Sequence, residues 1–223
     1  MKIALIGACG KMGKEFASAV SESNDSEIAF NLDLKENQQL KIYHTINDCQ
    51  IDVDIIVDFS TSEDRSDFIS YSSNHKIPYA CFSTNLSQKD KKLFEKLSKK
   101  VPILICQNAS RGINLIYKFL QLACQSIPQS DVAICEYHHK NKKDSPSGTA
   151  VNFEKILTEN HMDYQTRCFR IGDEKGFHKI SFYLEDEIIE ISHQAFSRKI
   201  FALGAFQMCK KLLKQKPNIY NGF

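Results

Sequence analysis

The stretch Lys2-Ile3-Ala4-Leu5-Ile6-Gly7-Ala8-Cys9-Gly10-Lys11-Met12-Gly13 decides the fold. Four apolar residues in succession read as a short buried strand. Three glycines follow at three-residue spacing, and Lys11 to Ser23 has the pattern of a helix. The loop has the form G-x-x-G-x-x-G, one position removed from the G-x-G-x-x-G fingerprint. It sits after a predicted strand and opens a predicted helix, the context in which such a loop holds a pyrophosphate. Gly7 permits the tight turn, Gly10 lets the backbone approach the phosphates, and Gly13 lets the helix pack close to the strand. The free N–H groups and partial positive charge of the helix start favour an anion. A carboxylate is expected at the end of the next strand, and Asp33 follows Leu32 there. It would accept hydrogen bonds from an adenine-ribose 2′-hydroxyl and repel a 2′-phosphate, which favours NADH over NADPH, with Lys35 nearby to soften that preference.

Outward from this stretch, strand and helix alternate. Ile28 to Leu32, Val53 to Asp58, Pro78 to Cys81 and Pro102 to Cys106 read as strands, and Glu63 to Asn74 and Ser87 to Lys100 as helices. The run Ile55-Ile56-Val57 is apolar throughout, as in a strand covered on both faces. This alternation predicts an α/β domain with a parallel, doubly wound sheet. Past a boundary near Ala109 to Gly112 the pattern changes. A helix marked by Ile113, Ile116, Tyr117 and Leu120 leads to a strand from Val132 to Glu136. After a polar loop comes a helix from Pro146 to about Asn160, then two or three antiparallel strands between about Thr166 and His193. A last helix runs from about Ser197 to Lys214.

The loop Glu136-Tyr137-His138-His139-Lys140-Asn141-Lys142-Lys143-Asp144-Ser145-Pro146-Ser147-Gly148-Thr149-Ala150 carries the most chemistry. Ser145 can cap the helix that follows and Pro146 suits its first position. The N–H groups of Ser147, Gly148 and Thr149 would then lack helical partners and form a carboxylate site. Lys142 adds a point charge, and His138 or His139 can supply a proton near neutral pH.

Composition narrows the class. Of 223 residues 42% are hydrophobic, enough for a real core, so a disordered chain is excluded. A net charge of +2 with dispersed Lys and Arg predicts no nucleic-acid partner. No apolar run reaches the length of a membrane span. The 8 Cys form no CxxC pair and show no zinc-like spacing to His, so no metal is expected. Several sit inside apolar runs, which predicts reduced thiols and a cytoplasmic protein.

With both motifs in place, the sequence resembles the dihydrodipicolinate reductase family. That family's pattern E-x-H-H-x-x-K-x-D-x-P-S-G-T-A is met at every fixed position from Glu136 to Ala150. The resemblance extends to Gly7 to Gly13, to Asp58-Phe59-Ser60, and to Asn108-Ala109-Ser110-Arg111-Gly112-Ile113-Asn114. It includes Arg170-Ile171-Gly172-Asp173 with Gly176 and His178, and Ile191-Ser192-His193 with Ser197-Arg198. It implies a Rossmann dinucleotide-binding domain over 1–109, completed by the C-terminal helix at about 199–223. An α+β substrate and oligomerisation domain with a mixed sheet would occupy 110–198. It further implies NADH- or NADPH-dependent reduction of 4-hydroxy-tetrahydrodipicolinate, via dihydrodipicolinate, on the route to diaminopimelate and lysine, by a homo-oligomer, in the family a tetramer.

Carried over by position, His138 is the general acid and Lys142 the second catalytic group, also binding the small cyclic dicarboxylate together with His139, Gly148 and Thr149. The cofactor is expected along Gly7, Ala8, Cys9, Gly10, Lys11 and Met12, at Asp33, at Phe82, Ser83 and Thr84, and at Cys106, Gln107, Asn108 and Ala109. The chain departs from the family where Phe82-Ser83-Thr84-Asn85 replaces G-T-T-G and Ala109 stands for an aromatic. The stretch from Glu159 to Arg170 is also shortened, which trims the sheet that builds the tetramer. Another nicotinamide dehydrogenase or a dinucleotide-sensing module could share Gly7 to Gly13. The sensing module has no need of His138, Lys142 and the helix start together, and no catalytic Cys context supports a semialdehyde dehydrogenase.

Overall fold

Strand β1 (Lys2–Ile6) lies between β2 (Glu27–Leu32) and β3 (Ile55–Asp58), and the sheet continues through β4 (Tyr79–Cys81), β5 (Pro102–Ile105) and a last edge strand, β10 (Asn218–Tyr220). This computed structural model describes residues 1–83 and 86–222. All pairings in the six-stranded sheet are parallel. Helices α1 (Lys11–Ser21), α2 (Ser66–His75), α3 (Gln88–Leu97) and α6 (Lys199–Leu212) belong to the same unit, which comprises Met1–Ala109 and Phe201–Phe223. Ile3 and Leu5 point to one core and Ala4 and Ile6 to another, because successive strand side chains face opposite sides. The first core is closed by α1 and α6, the second by α2 and α3.

Register fixes the useful edge of this sheet. Ile6 pairs with Leu32 and Asp58, Asp58 with Cys81, and Cys81 with Ile105. The residues that follow, Gly7, Asp33, Phe59, Phe82 and Cys106, therefore emerge along one carboxyl edge. Strand order reverses between β1 and β3, and open α/β sheets bind ligands outside the strand ends at such a reversal. The glycine turn is built for close approach. Gly7 has φ +80, and a Cβ there would lie 2.9 Å from the Ser60 N; a Cβ on Gly13 would lie 2.1 Å from the Gly7 O.

A buried charge cluster ties the β3 and β4 edges together. The Arg65 side chain is fully buried. It donates to Asp58 Oδ2 at 2.9 Å, Asp90 Oδ2 at 3.1 Å, Ser83 Oγ at 2.7 Å and the carbonyls of Ser60 and Ser62. The Tyr79 hydroxyl donates to Asp58 Oδ2 at 2.9 Å. Asp90 closes a capping box with Ser87 at the start of α3.

The second unit, Ser110–Ile200, has a four-stranded sheet in the order β7 (Tyr164–Arg170), β6 (Asp131–His138), β8 (Phe177–Tyr183), β9 (Ile188–Gln194). Helices α4 (Arg111–Ser126) and α5 (Gly148–Glu159) cover one face. β8 pairs antiparallel with β6 and β9, but β7 runs parallel to β6. The strands after α5 alternate in direction through β7, β8 and β9 as expected, and the parallel β6–β7 pair, which the pattern alone did not announce, makes the sheet mixed, as the resemblance implies. The reason is topological: α5 is a crossover, and a strand–helix–strand unit returns the chain parallel. β10 was not expected either, since three residues on a sheet edge carry no periodicity to read.

Candidate functional site

At the carboxyl edge of the first unit lies a cavity of about 590 Å³. Gly7, Gly10 and Asp33 line it, with Leu34, Lys35 and His44 on one side and Phe59, Ser60, Thr61, Ser62, Glu63 and Phe68 on the other. The Gly7 and Ala8 amides donate to the Leu32 carbonyl and hold the turn against β2. Asp33 Oδ2 accepts from the Cys9 amide at 2.8 Å and Oδ1 from the Lys35 amide at 3.0 Å. Each oxygen retains a second lone-pair direction for a ligand hydroxyl. His44 bridges the Asp33 carbonyl at 2.9 Å and Glu36 Oε1 at 2.8 Å, and both bonds raise its pKa.

The other predicted cofactor residues divide. Lys11 and Gln107 are exposed, Cys9, Met12 and Asn108 are half-buried, and Ala8, Cys106 and Ala109 are buried. Phe82 is folded into the core, stacked on Phe59 with ring centroids 5.0 Å apart, so its bulk is absorbed there. The buried Ser83 hydroxyl accepts from Arg65. Thr84 and Asn85 lie outside the described residues. Ala109 meets α6 so closely that a Cβ on Gly204 would sit 1.9 Å from its carbonyl oxygen.

The second unit gathers the His-Lys loop. Glu136 and His138 are two apart on β6 and so share a face. His178 lies directly across from Glu136 on β8. Glu136, fully buried, accepts through Oε1 from the Ser147 amide at 3.1 Å and from Arg170 at 2.9 Å. Its Oε2 stands 3.7 Å from His138 Nδ1 and 3.5 Å from His178 Nε2. Arg170 also donates to the Asp144 carbonyl at 2.5 Å, tying the loop to β7. Lys142 Nζ pairs with Asp144 Oδ1 at 2.8 Å, and the Lys142 amide donates to the His139 carbonyl. Gly176, at φ +136, leaves room before the imidazole: a Cβ there would lie 3.3 Å from His138 Nε2.

The helix start differs from expectation. Helix α5 begins at Gly148, and the cap is Ser147, whose hydroxyl accepts from the Ala150 amide at 3.2 Å, not Ser145. Ser145-Pro146 is a cis peptide and lies before the helix. The Ser147 amide is committed to Glu136, which removes it from the expected carboxylate site. Gly148 and Thr149 occupy the first turn as expected.

Electrostatics follow from burial. Desolvation first, then the nearby His178, push the His138 imidazole down to about 4, against the opposing pull of Glu136. Burial works against ionisation of Glu136, yet contacts from His178, Ser147 and Arg170 hold its carboxyl well below the usual range. His138 is the buried base of the pair and Glu136 the standing charge. Sequence reasoning gave no chemical role to Glu136, Arg170, Gly176 or His178. The signal present was the two-residue spacing of Glu136 and His138 on a strand; Arg170 and His178 come from other strands and Gly176 from the turn before β8, and they meet it only through register.

Two family models cover nearly the whole chain: dihydrodipicolinate reductase, N-terminus, over residues 1–109, and dihydrodipicolinate reductase, C-terminus, over 112–222. The 4-hydroxy-tetrahydrodipicolinate reductase of Bdellovibrio bacteriovorus is 33% identical over 223 residues, spanning 99% of this chain and 93% of its own. That of Thermosipho africanus is 34% identical over 220 residues, spanning 99% and 95%. Among solved structures, a dipicolinate-bound dihydrodipicolinate reductase from Paenisporosarcina sp. TG-14 superposes with a TM-score of 0.80 at 17% identity, covering 100% of this chain and 97% of that one. A myo-inositol dehydrogenase from Corynebacterium glutamicum gives 0.65 at 15%, covering 98% and 90%. The two structures share the fold; the family models and the two sequence relatives decide the family, and this chain belongs to the dihydrodipicolinate reductases.

Proposed function

We propose that this chain reduces 4-hydroxy-tetrahydrodipicolinate, via dihydrodipicolinate, to tetrahydrodipicolinate with NADH or NADPH, in the synthesis of diaminopimelate and lysine. The observation that carries this reading is the grouping of a buried imidazole, a partly exposed ammonium and the first turn of α5 on one side of a sheet whose Glu136 is already neutralised by Arg170. The glycine turn supports a dinucleotide, because side chains are excluded at Gly7 and Gly13 while Gly10 faces the cavity. The nicotinamide, when bound, supplies a hydride. His138 donates the proton that completes reduction, from the Nε2 face that Gly176 leaves clear. Lys142 exchanges Asp144 for a substrate carboxylate, and Gly148, Thr149 and His139 complete the hold on the ring's two acids. The test is a coupled assay. Pyruvate and aspartate semialdehyde are condensed by the preceding synthase, and nicotinamide absorbance must fall on adding this protein; no fall removes the assignment.

Lys142→Ala is expected to raise KM and lower kcat together, since its charge acts on substrate before and during reaction. Isothermal titration should show dinucleotide affinity unchanged, and a loss confined to the dinucleotide would contradict the placement. Asp33 sets the cofactor preference. With both oxygens already accepting amides it presents fixed negative charge to a 2′-phosphate, so kcat/KM should be higher with NADH than with NADPH. Asp33→Ser should narrow that ratio.

No helix among the described residues is long and apolar enough to cross a membrane. The free cysteines support a cytoplasmic enzyme. The face of the second sheet away from α4 and α5 leaves Phe169, Tyr183 and Ile188 exposed, which supports a homo-oligomer, a tetramer by family resemblance.

A further inference from the structure

Three buried polar atoms converge without hydrogen-bond partners among the described residues, or with poor ones. Glu136 Oε2 and His138 Nδ1 have none, and His178 Nε2 has only the Ser147 hydroxyl at 3.2 Å. One ligand atom from each residue lies within 4.8 Å of the other two, and all three residues are buried. Glu136 Oε2 is 3.7 Å from His138 Nδ1 and 3.5 Å from His178 Nε2. Both distances are too long for good hydrogen bonds. In a tetrahedral site with bonds near 2.0–2.1 Å, neighbouring ligand atoms stand roughly 3.3 Å apart, so the two Glu136 contacts need to close by only a few tenths of an ångström and the two imidazole nitrogens, within 4.8 Å of each other, by at most about 1.5 Å. An unpaired buried carboxylate oxygen between two imidazole nitrogens is an arrangement that one cation satisfies at once.

From this geometry we infer that Glu136, His138 and His178 form a binding site for a divalent first-row transition metal, of which Zn²⁺ is the representative. Two imidazoles and one carboxylate on a rigid sheet are the donor set such ions prefer, and the hard ions Mg²⁺ and Ca²⁺ are disfavoured. The outer contacts are in place. Ser147 N and Arg170 fix the carboxylate through Oε1, leaving Oε2 for the ion. The Ser147 hydroxyl, which also accepts from Ala150, releases the His178 nitrogen when the ion takes it. Linear spacing conceals the site because His178 reaches it only by cross-strand pairing with Glu136. The consequence rests on the function proposed above: an imidazole ligated through Nδ1 cannot become the imidazolium that donates to substrate, so the metal inhibits the reductase reversibly.

The test uses the full-length protein and Co²⁺ as the optical probe, with Zn²⁺ as competitor. A single equivalent of Co²⁺ should bind with visible ligand-field bands and no thiolate charge-transfer band, and Zn²⁺ should displace it. His178→Asn and Glu136→Gln should each weaken binding by about 100-fold or more, the upper end of what losing even an outer partner costs. Should those variants fold poorly, the wild-type protein decides: Co²⁺ must broaden the ring proton resonances of His138 and His178 before those of His44, His75 and His161. Absence of uptake, a thiolate band from the 8 Cys, or broadening that starts elsewhere overturns the site. Binding with full turnover retained would leave the site standing and instead refute His138 as the acid.

Discussion

His138→Gln is expected to lower turnover by about a hundredfold or more, the usual worth of a positioned proton donor. Glutamine keeps a polar group at the end of β6 but cannot carry a transferable proton. Dinucleotide affinity, set at the glycine turn of the other unit, should be nearly unchanged. The pH profile supplies a sharper check. Burial and His178 hold the free imidazole at about 4, so at neutral pH only a small fraction is protonated. If the protonated form is the donor, kcat/KM rises as pH falls from 7 toward 4, because that quantity reports the free enzyme. In His138→Gln this slope should vanish. Turnover equal to wild type, or an unchanged slope, would strip the residue of its role. The same shift acts on stability. Between about 4 and the ordinary value of 6.5 the unfolded chain binds a proton that the folded chain does not. The contribution of His138 is therefore complete above 6.5 and lost as pH falls through that window. Chemical denaturation of the two proteins across pH 4 to 7 should converge at the acid end.

Arg65→Met carries the largest expected cost in stability. The guanidinium touches two buried carboxylates, Asp58 and Asp90, and both side chains are fully buried. Methionine fills much of the volume and leaves both acids without their cation. Breaking a buried pair in this way costs about 3–5 kcal/mol, which for a chain of this size lowers Tm by on the order of 10 °C. Charge, not shape, is the cause, so adding Asp58→Asn and Asp90→Asn to Arg65→Met should recover part of the loss. A triple variant no more stable than the single one would show that the carbonyl and Ser83 contacts of Arg65 matter more. Because Arg65 also holds the Ser60 and Ser62 carbonyls beside the cavity, the single variant should bind NADH more weakly as well.

Much of this protein is written in local pattern. The apolar run before Gly7, the glycine spacing and the repeated strand–helix alternation are short-range features, and they suffice to announce a parallel α/β sheet. The motif from Glu136 to Ala150 likewise shows its residue types in one line of text. Tertiary structure decided what no window of sequence contains. Whether β7 lies parallel to β6 depends on the crossover through α5, and β10 exists only because β5 offers an unpaired edge. The cap of α5 fell to Ser147 because Glu136, eleven residues back, takes its amide. His178 stands across from Glu136, 42 residues away in sequence, by register between strands, and Arg65 gathers Asp58, Asp90 and Ser83 from three separate segments. Periodicity along a chain reports which face a side chain takes; it carries no record of which other segment will be folded against that face.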